Sequence, residues 1–229
     1  MNSELGTVLV TGGASGLGAA LADAVEAAGG RPFVLDRRAP RDGIDHELVD
    51  LADSKETEHA VRQLCDDAPD LTAVVTCAGV DVPGRLEDVP TEVWERTIAV
   101  NLLGTAAVVR AALPTLEANR GRIVTVASTL GHRALSDATA YCASKFGVVG
   151  FTRALMAELQ GRVGVTMLSP GGMRTAFFDG RDEQYKPSPD APLCDPATVA
   201  AAALFALQQP PDVDIKELVV AGTVESSWP

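Results

Sequence analysis

The sequence predicts a doubly wound α/β fold, a parallel sheet with helices on both faces. Three observations lead there. Short β-branched and apolar runs alternate with longer helical patterns from end to end, the arrangement that builds parallel sheets through crossover helices. The first apolar run, residues 7–10, passes at once into a glycine-rich turn and then into an alanine-rich helical stretch. No repeat, linker or low-complexity block divides the 229 residues, a length that can bury one sizeable core, so residues 1–229 are expected to form a single domain.

Composition narrows the partners. The 46% hydrophobic content is ordinary for a globular chain, and a formal net charge of −12 argues against nucleic acid or an anionic membrane as partner, since both require a basic surface. Cys65, Cys77, Cys142 and Cys194 are scattered, with no CxxC spacing and no histidine cluster to complete a metal site. They read as free thiols of a reducing compartment. The first residues show no basic region followed by a long apolar core, and no transmembrane span stands out, so a cytoplasmic location is expected.

Taken in order, residues 7–10 form a strand, and Thr11-Gly12-Gly13-Ala14-Ser15-Gly16-Leu17-Gly18 forms the turn into a helix that ends before Gly29-Gly30. Glycines let the backbone approach a pyrophosphate, and the helix N-terminus directs amide N–H groups at it. Gly12, Ser15, Gly16, Leu17 and Gly18 are therefore cofactor candidates. Asp36 ends the next strand, residues 31–35, where a carboxylate accepts from adenosine ribose hydroxyls and repels a 2′-phosphate, which favours NAD. Arg37 and Arg38 could instead pair with a 2′-phosphate, so NADP is the alternative.

Asp50-Leu51 then precedes a helix expected to be capped by Ser54. Asp50 could accept from an adenine amino group or be an exposed turn residue. Residues 71–76 form a buried strand ending in Cys77-Ala78-Gly79, where Ala78 and Gly79 let the chain pass close to the adenosine half of a dinucleotide. From Thr91 a long helical pattern follows, with Trp94, Ile98, Leu102 and Val109 placed to face a core, Asn101 in its middle and Pro114 near its end. An asparagine inside a helix needs a reason: a core amide bonded to backbone, or a site for ordered water.

Residues 122–127 form another strand, with Ser128 at its ligand-binding end. The helix over residues 138–160 carries Tyr141 and Lys145, four apart and on one face. An ammonium about 4 Å from the phenol oxygen, at an effective dielectric of about 20, attracts a phenolate by on the order of 4 kcal/mol, enough to lower the phenol pKa by up to roughly three before desolvation opposes it. That would bring Tyr141 toward working pH as a proton-transfer group. A strand over residues 163–168 leads to Ser169-Pro170-Gly171-Gly172, then to an irregular loop over residues 172–196 whose Phe177, Phe178 and Tyr185 suggest an apolar lid. A helix from Pro196 and a last strand at residues 218–220 precede a tail ending in Trp228, which is expected to cover the site of its own or a neighbouring subunit. His132 and Arg133 are either exposed loop residues or contacts for a carboxylate or thioester.

The order of motifs resembles the short-chain dehydrogenase/reductase family over essentially the whole chain: Thr11-Gly12-xxx-Gly16-x-Gly18, Asp50, Ala78-Gly79, Asn101, Ser128, Tyr141-xxx-Lys145, and Pro170-Gly171 with Thr175 beyond. The resemblance implies a Rossmann-type fold and an NAD(P)-dependent alcohol dehydrogenase or carbonyl reductase. It implies Tyr141 as acid/base, Ser128 as orienter of the substrate oxygen, Lys145 as ligand of the nicotinamide ribose and tuner of the phenol, and Asn101 as holder of a relay water. It further implies that Pro170, Gly171 and Thr175 support the nicotinamide amide. Members commonly assemble as homodimers or homotetramers through two long helices, here residues 91–117 and 138–160. One departure is Cys77, where the family usually has asparagine; its thiol could make activity sensitive to thiol reagents. The tail is more similar to that of reductases acting on 3-hydroxy acids and 3-oxoacyl compounds. A non-catalytic dinucleotide sensor or structural subunit is the rival reading, which explains the glycine turn and Asp36 without needing Ser128, Tyr141 and Lys145 together.

Overall fold

The computed structural model describes residues 5–228. Its strands are β1 (Thr7–Thr11), β2 (Arg31–Asp36), β3 (Asp45–Leu48), β4 (Leu71–Thr76), β5 (Arg122–Val126), β6 (Gly164–Pro170) and β7 (Glu217–Val220). Its helices are α1 (Gly16–Ala27), α2 (Ser54–Asp67), α3 (Thr91–Ile98), α4 (Thr105–Ala118), α5 (Thr139–Glu158) and α6 (Pro196–Leu207). The strands form one sheet in the order β3-β2-β1-β4-β5-β6-β7, and every pairing is parallel. This is the Rossmann-type doubly wound architecture.

Side-chain alternation along each central strand feeds two cores. Leu9 joins Leu35, Val74 and Ile123 beneath α2, α4 and α5, while Val8 and Val10 join Val75 and Leu168 beneath α1 and α6. A strand buried on both faces has no polar side to alternate, which is why β1, β4 and β5 read as continuous apolar or β-branched runs. Each fully buried Val or Leu adds roughly 1.5–3 kcal/mol of burial against the entropy of ordering it.

The chain leaves β1 toward β2 on one side, while β4 pairs on the other. At that switch point the connections diverge and open a crevice beyond the strand ends, which is where ligands bind in such sheets. Gly12 has φ +72°, and a Cβ there would press into the Ala78 backbone, so the turn closes tightly over β4 only with glycine.

Three expectations change. The exposed edge strand β3, with its polar sequence Asp-His-Glu-Leu, carries no strand pattern, and its place comes from pairing with β2. The cap of α2 is Asp53, whose Oδ1 accepts from the Lys55 and Glu56 amides at 3.0 Å, and Ser54 is the first helical residue. The long helix from Thr91 is not uniform: residues Ala99–Gly104 form a π-helical turn with Asn101 inside it. The continuous helical run Thr91–Ala118 is long and apolar enough to cross a membrane, but more than half of its most apolar window is buried within the fold.

Candidate active site

A cavity of about 970 Å³ lies over the C-terminal ends of β1, β4, β5 and β6. Its floor and walls include Gly12, Ser15, Gly16, Leu17, Gly18, Asp36, Arg37, Asp50, Leu51, Ala78 and Gly79 at one end. Ser128, Tyr141, Lys145, Pro170, Gly171 and Thr175 lie toward the other. Asn101 is buried behind this wall and does not line it. All seventeen of these positions, expected from the sequence, are therefore brought together, although they span residues 12–175.

The glycine end fits a pyrophosphate. Ser15 stands at the N-cap of α1 without a capping side-chain hydrogen bond, so the first amides of the helix have no side-chain competitor. An added Cβ at Gly18 would collide with the Gly12 carbonyl, and one at Gly79 would project to 3.6 Å from Asn101 Oδ1 and 3.7 Å from Lys145 Nζ. Asp36 accepts from the Ala14 amide at 3.0 Å and the Arg38 amide at 3.1 Å, which fixes its carboxylate beside the turn. Arg38 reaches Ser15 Oγ at 3.4 Å. Asp50 is held by Arg96 at 2.8 Å and by the Ala52 amide at 3.0 Å. Burial opposes its ionisation, but the Ala52 and Arg96 bonds win and its pKa falls below the ordinary carboxylate value. Its carboxylate is thus already engaged by Arg96, not free at an exposed turn.

At the other end, α5 presents Tyr141 and Lys145 together as their spacing requires. Lys145 is buried and its Nζ donates to the Val126 carbonyl at 2.8 Å, lying 5.7 Å from the centre of the Tyr141 ring. The expected lowering of the phenol pKa is overturned in this structure. Burial pushes Tyr141 up to about 12, with the Ser128 hydrogen bond and the Arg181 charge pulling only partly back. Burial likewise lowers Lys145 to about 8. The sequence-based electrostatic figure stopped short of desolvation, which outweighs the attraction here, and assumed that the ammonium meets the phenol oxygen. Burial also drives the Cys77 thiol up to about 12, which disfavours the thiolate that thiol reagents attack.

Asn101 is tied to the backbone. Its Nδ2 donates to the Val80 carbonyl at 2.9 Å and to Ser144 Oγ at 3.0 Å, and its Oδ1 accepts from the Val80 amide at 2.8 Å. Ser144 in turn donates to the Tyr141 carbonyl at 2.7 Å. The asparagine therefore couples the loop after β4 to the helix that carries Tyr141. Of the two readings of a mid-helix amide, the backbone-bonded one describes its side chain.

The lid and tail also resolve. Phe177 lies 5.7 Å from the Tyr141 ring and packs edge-on to Phe178 at 5.5 Å, whereas Tyr185 is turned away and donates to Asp137 at 3.3 Å. Thr175 packs directly beside Gly16, since a Cβ on that glycine would sit 3.3 Å from its methyl group. The tail folds over its own site. Arg133 donates to the Ser226 carbonyl at 2.9 Å, His132 packs edge-on against Trp228 at 5.2 Å, and Thr129 and Ser227 share a 2.6 Å hydrogen bond. His132 and Arg133 thus clasp the tail instead of facing a substrate carboxylate. Glu225 reaches the Gly172 amide at 3.2 Å and lines the cavity.

Sequence reading missed Asp81, Arg181 and Glu225, all of which line the cavity. Asp81 and Arg181 are in charge contact at 3.1 Å, with side chains only 7% and 10% exposed. Nothing in their spacing, one hundred residues apart, signals the pairing.

A glycine cradle at the switch point of a parallel sheet, with a Tyr-Lys helix at the far end of the same cavity, defines a dinucleotide-dependent oxidoreductase. Comparison with known proteins gives the family: a profile described as short chain dehydrogenase matches residues 6–186, and the chain belongs to that family. An uncharacterised oxidoreductase of Staphylococcus aureus (strain MW2) is 31% identical over 224 residues, covering 93% of this chain and 95% of that protein. D-threitol dehydrogenase of Mycolicibacterium smegmatis is 35% identical over 217 residues, covering 86% of this chain and 84% of that protein. Among solved structures, an alcohol dehydrogenase from the archaeon Thermococcus sibiricus, complexed with 5-hydroxy-NADP, superposes with a TM-score of 0.85 at 24% identity, covering 96% of this chain and 97% of that one. At that identity the likeness concerns the fold.

Proposed function

We propose that this chain, acting as a single dinucleotide-binding and catalytic domain, interconverts a secondary alcohol and its ketone. The observation that carries the reading is Tyr141, hydrogen-bonded by Ser128 and flanked by Lys145, opening on the same cavity as the glycine cradle. When bound, the nicotinamide dinucleotide supplies or accepts the hydride. Gly12, Ser15, Gly16, Leu17 and Gly18 would hold its pyrophosphate, Asp36 and Arg37 its adenosine ribose, Asp50, Leu51, Ala78 and Gly79 its adenine side, and Pro170, Gly171 and Thr175 its nicotinamide end.

Tyr141 exchanges one proton with the substrate oxygen, and Ser128 donates a hydrogen bond that orients that oxygen. A phenol pushed up to about 12 holds its proton at neutral pH, so it starts ready to protonate the oxygen of a carbonyl being reduced. Lys145 holds the nicotinamide ribose, and Asn101 supports the site by fixing Val80 and Ser144. NAD is the cofactor favoured by Asp36; the specific observation favouring NADP is Arg38 lying against Ser15, where a 2′-phosphate would need a cation. Fluorescence titration with NADH and NADPH separates the two, and tighter NADPH binding would assign the role to Arg38.

For substrate, the named mycobacterial relative makes small polyhydroxy alcohols the first class to test, ahead of the 3-hydroxy and 3-oxoacyl compounds suggested by the tail. We place the protein in the cytoplasm, consistent with its four free cysteines, and assemble it as a homodimer or homotetramer through residues 91–117 and 138–160. Leu103 at 51% and Phe146 at 45% exposure lie on those segments and support that face. A panel of secondary alcohols and ketones with both dinucleotides tests the activity; tight dinucleotide binding without turnover of any member would restore the sensor reading.

A further inference from the structure

Asp81 and Arg181 pair in the wall of the cavity, one from the segment after β4 and the other from the loop over residues 172–196. Their contact is electrostatic but misaligned. Arg181 Nη2 lies 3.1 Å from Asp81 Oδ2, yet Nη2, Nε and Asp81 Oδ1 are all buried with no hydrogen-bond partner among the described residues. Buried polar atoms of a native fold are nearly always paired, so three orphans on two side chains facing one cavity mark a place where a ligand completes the bonding.

The pair is held firmly. The Arg181 guanidinium lies 4.6 Å and 4.9 Å from the ring centres of Phe177 and Phe178, and Phe177 packs on Tyr141. Cation–π contact with two rings of one loop holds the guanidinium in place. Both charges reach the Tyr141 phenol, with Asp81 opposing and Arg181 favouring its ionisation. The orphaned atoms therefore stand within electrostatic reach of the reacting centre.

Their chemistry selects the ligand. An anion would meet Arg181 but be repelled by Asp81, and a cation would meet the reverse. A hydroxyl is both donor and acceptor: its proton goes to Asp81 Oδ1 and its lone pair takes Arg181 Nε or Nη2, leaving the net charge of the pair at zero. We infer that Asp81 and Arg181 form a specificity site for a second hydroxyl, so that the substrate is a neutral diol, polyol or hydroxyketone bearing that hydroxyl near the reacting carbon. The inference rests on the proposed alcohol–ketone reaction and adds the residues that choose among its substrates.

The test uses the dinucleotide-loaded enzyme with two alcohols that differ by one hydroxyl, butane-2,3-diol and butan-2-ol, and with 3-hydroxybutyrate as the anionic arm. The wild type should prefer the diol over butan-2-ol by at least about tenfold in kcat/KM, because a site built around a hydroxyl rejects the analogue lacking it. Arg181→Met and the near-isosteric Asp81→Asn should each bring that ratio toward one. Equal losses on both alcohols would mean that the pair only shapes the loop, and preference for 3-hydroxybutyrate would make Arg181 an anion site; either result overturns the inference. Saturation-transfer NMR of butane-2,3-diol on the loaded protein supplies a readout independent of turnover. Diol binding that Arg181→Met abolishes, in an enzyme that oxidises neither alcohol, would sink the proposed reaction and keep the hydroxyl site; binding unaffected by both variants would sink the site.

Discussion

The two ends of the cavity are built from different materials. At the dinucleotide end, backbone does the shaping: the glycines of one short turn, the amides at the start of α1, and Asp36 pinned to that turn by the Ala14 amide. At the substrate end, side chains from remote segments do it, with Phe177, Phe178 and Arg181 from one loop, Asp81 from another and Glu225 from the tail. Tyr141 and Lys145 stand between the two. Backbone-built sites tolerate no added atoms and little change of residue, whereas side-chain-built sites can be retuned one residue at a time. Under the proposed function, the first kind would fix which cofactor class is held, and the second would decide which substrate is chosen.

Mutations can break this division or sharpen it. The largest effect is expected at the junction: Tyr141→Phe should lower kcat by on the order of a thousandfold while leaving dinucleotide affinity near wild type, measured by steady-state rates beside fluorescence titration. Near-normal turnover would remove the acid/base role. At the backbone end, Gly18→Ala drives a methyl group into the Gly12 carbonyl and should weaken dinucleotide binding by on the order of a hundredfold, with circular dichroism reporting whether the fold survives.

Lys145 links the two ends through its charge. Because burial lowers it to about 8, the free protein carries a Lys145 ammonium below that pH and a neutral amine above it. Dinucleotide affinity should therefore fall as pH rises through about 8, by up to about tenfold per pH unit beyond it, and Lys145→Met should flatten that dependence in a calorimetric titration. A smaller change belongs to the substrate end. Removing residues 224–229 takes away the Glu225, Ser226 and Ser227 contacts and should raise KM about threefold with little effect on NADH affinity. Unchanged activity and assembly would show that the tail covers nothing that matters. The smallest effect is at Cys77: a thiol raised to about 12 is protonated at pH 7.5, so iodoacetamide should leave the rate within about twofold, with mass spectrometry showing an unmodified residue.

What could be read from the sequence follows the same division. The glycine turn, Asp36, Ser128 and the Tyr141-Lys145 spacing are local: each is a residue type at a fixed distance from a strand end or along one helix. Their meeting in one cavity follows from the parallel order of the strands. The Asp81–Arg181 pair and the clasp of His132 and Arg133 on the tail are products of tertiary packing, and no periodicity encodes them. The phenol pKa failed for a related reason, since Coulomb attraction can be figured from spacing but desolvation needs the fold. The edge strand β3 was hidden because its residues are polar and its existence depends on hydrogen bonds offered by β2.

The π-helical turn at Ala99–Gly104 has a consequence for how one length of chain serves two neighbours. An α-helix advances about 100° per residue, so a stripe that faces one partner keeps facing it. Here α3 packs against α5, while α4 packs against α2 and the sheet. The wider turn shifts the angular phase between the two halves, letting each present its own small and apolar residues to a different surface, and it turns the Asn101 side chain toward Val80 and Ser144. Removing one residue from this turn would rotate everything after it relative to everything before it. The segment acts as a rotary joint set once, at folding, and Asn101 within it is bonded to Ser144 on the Tyr141 helix.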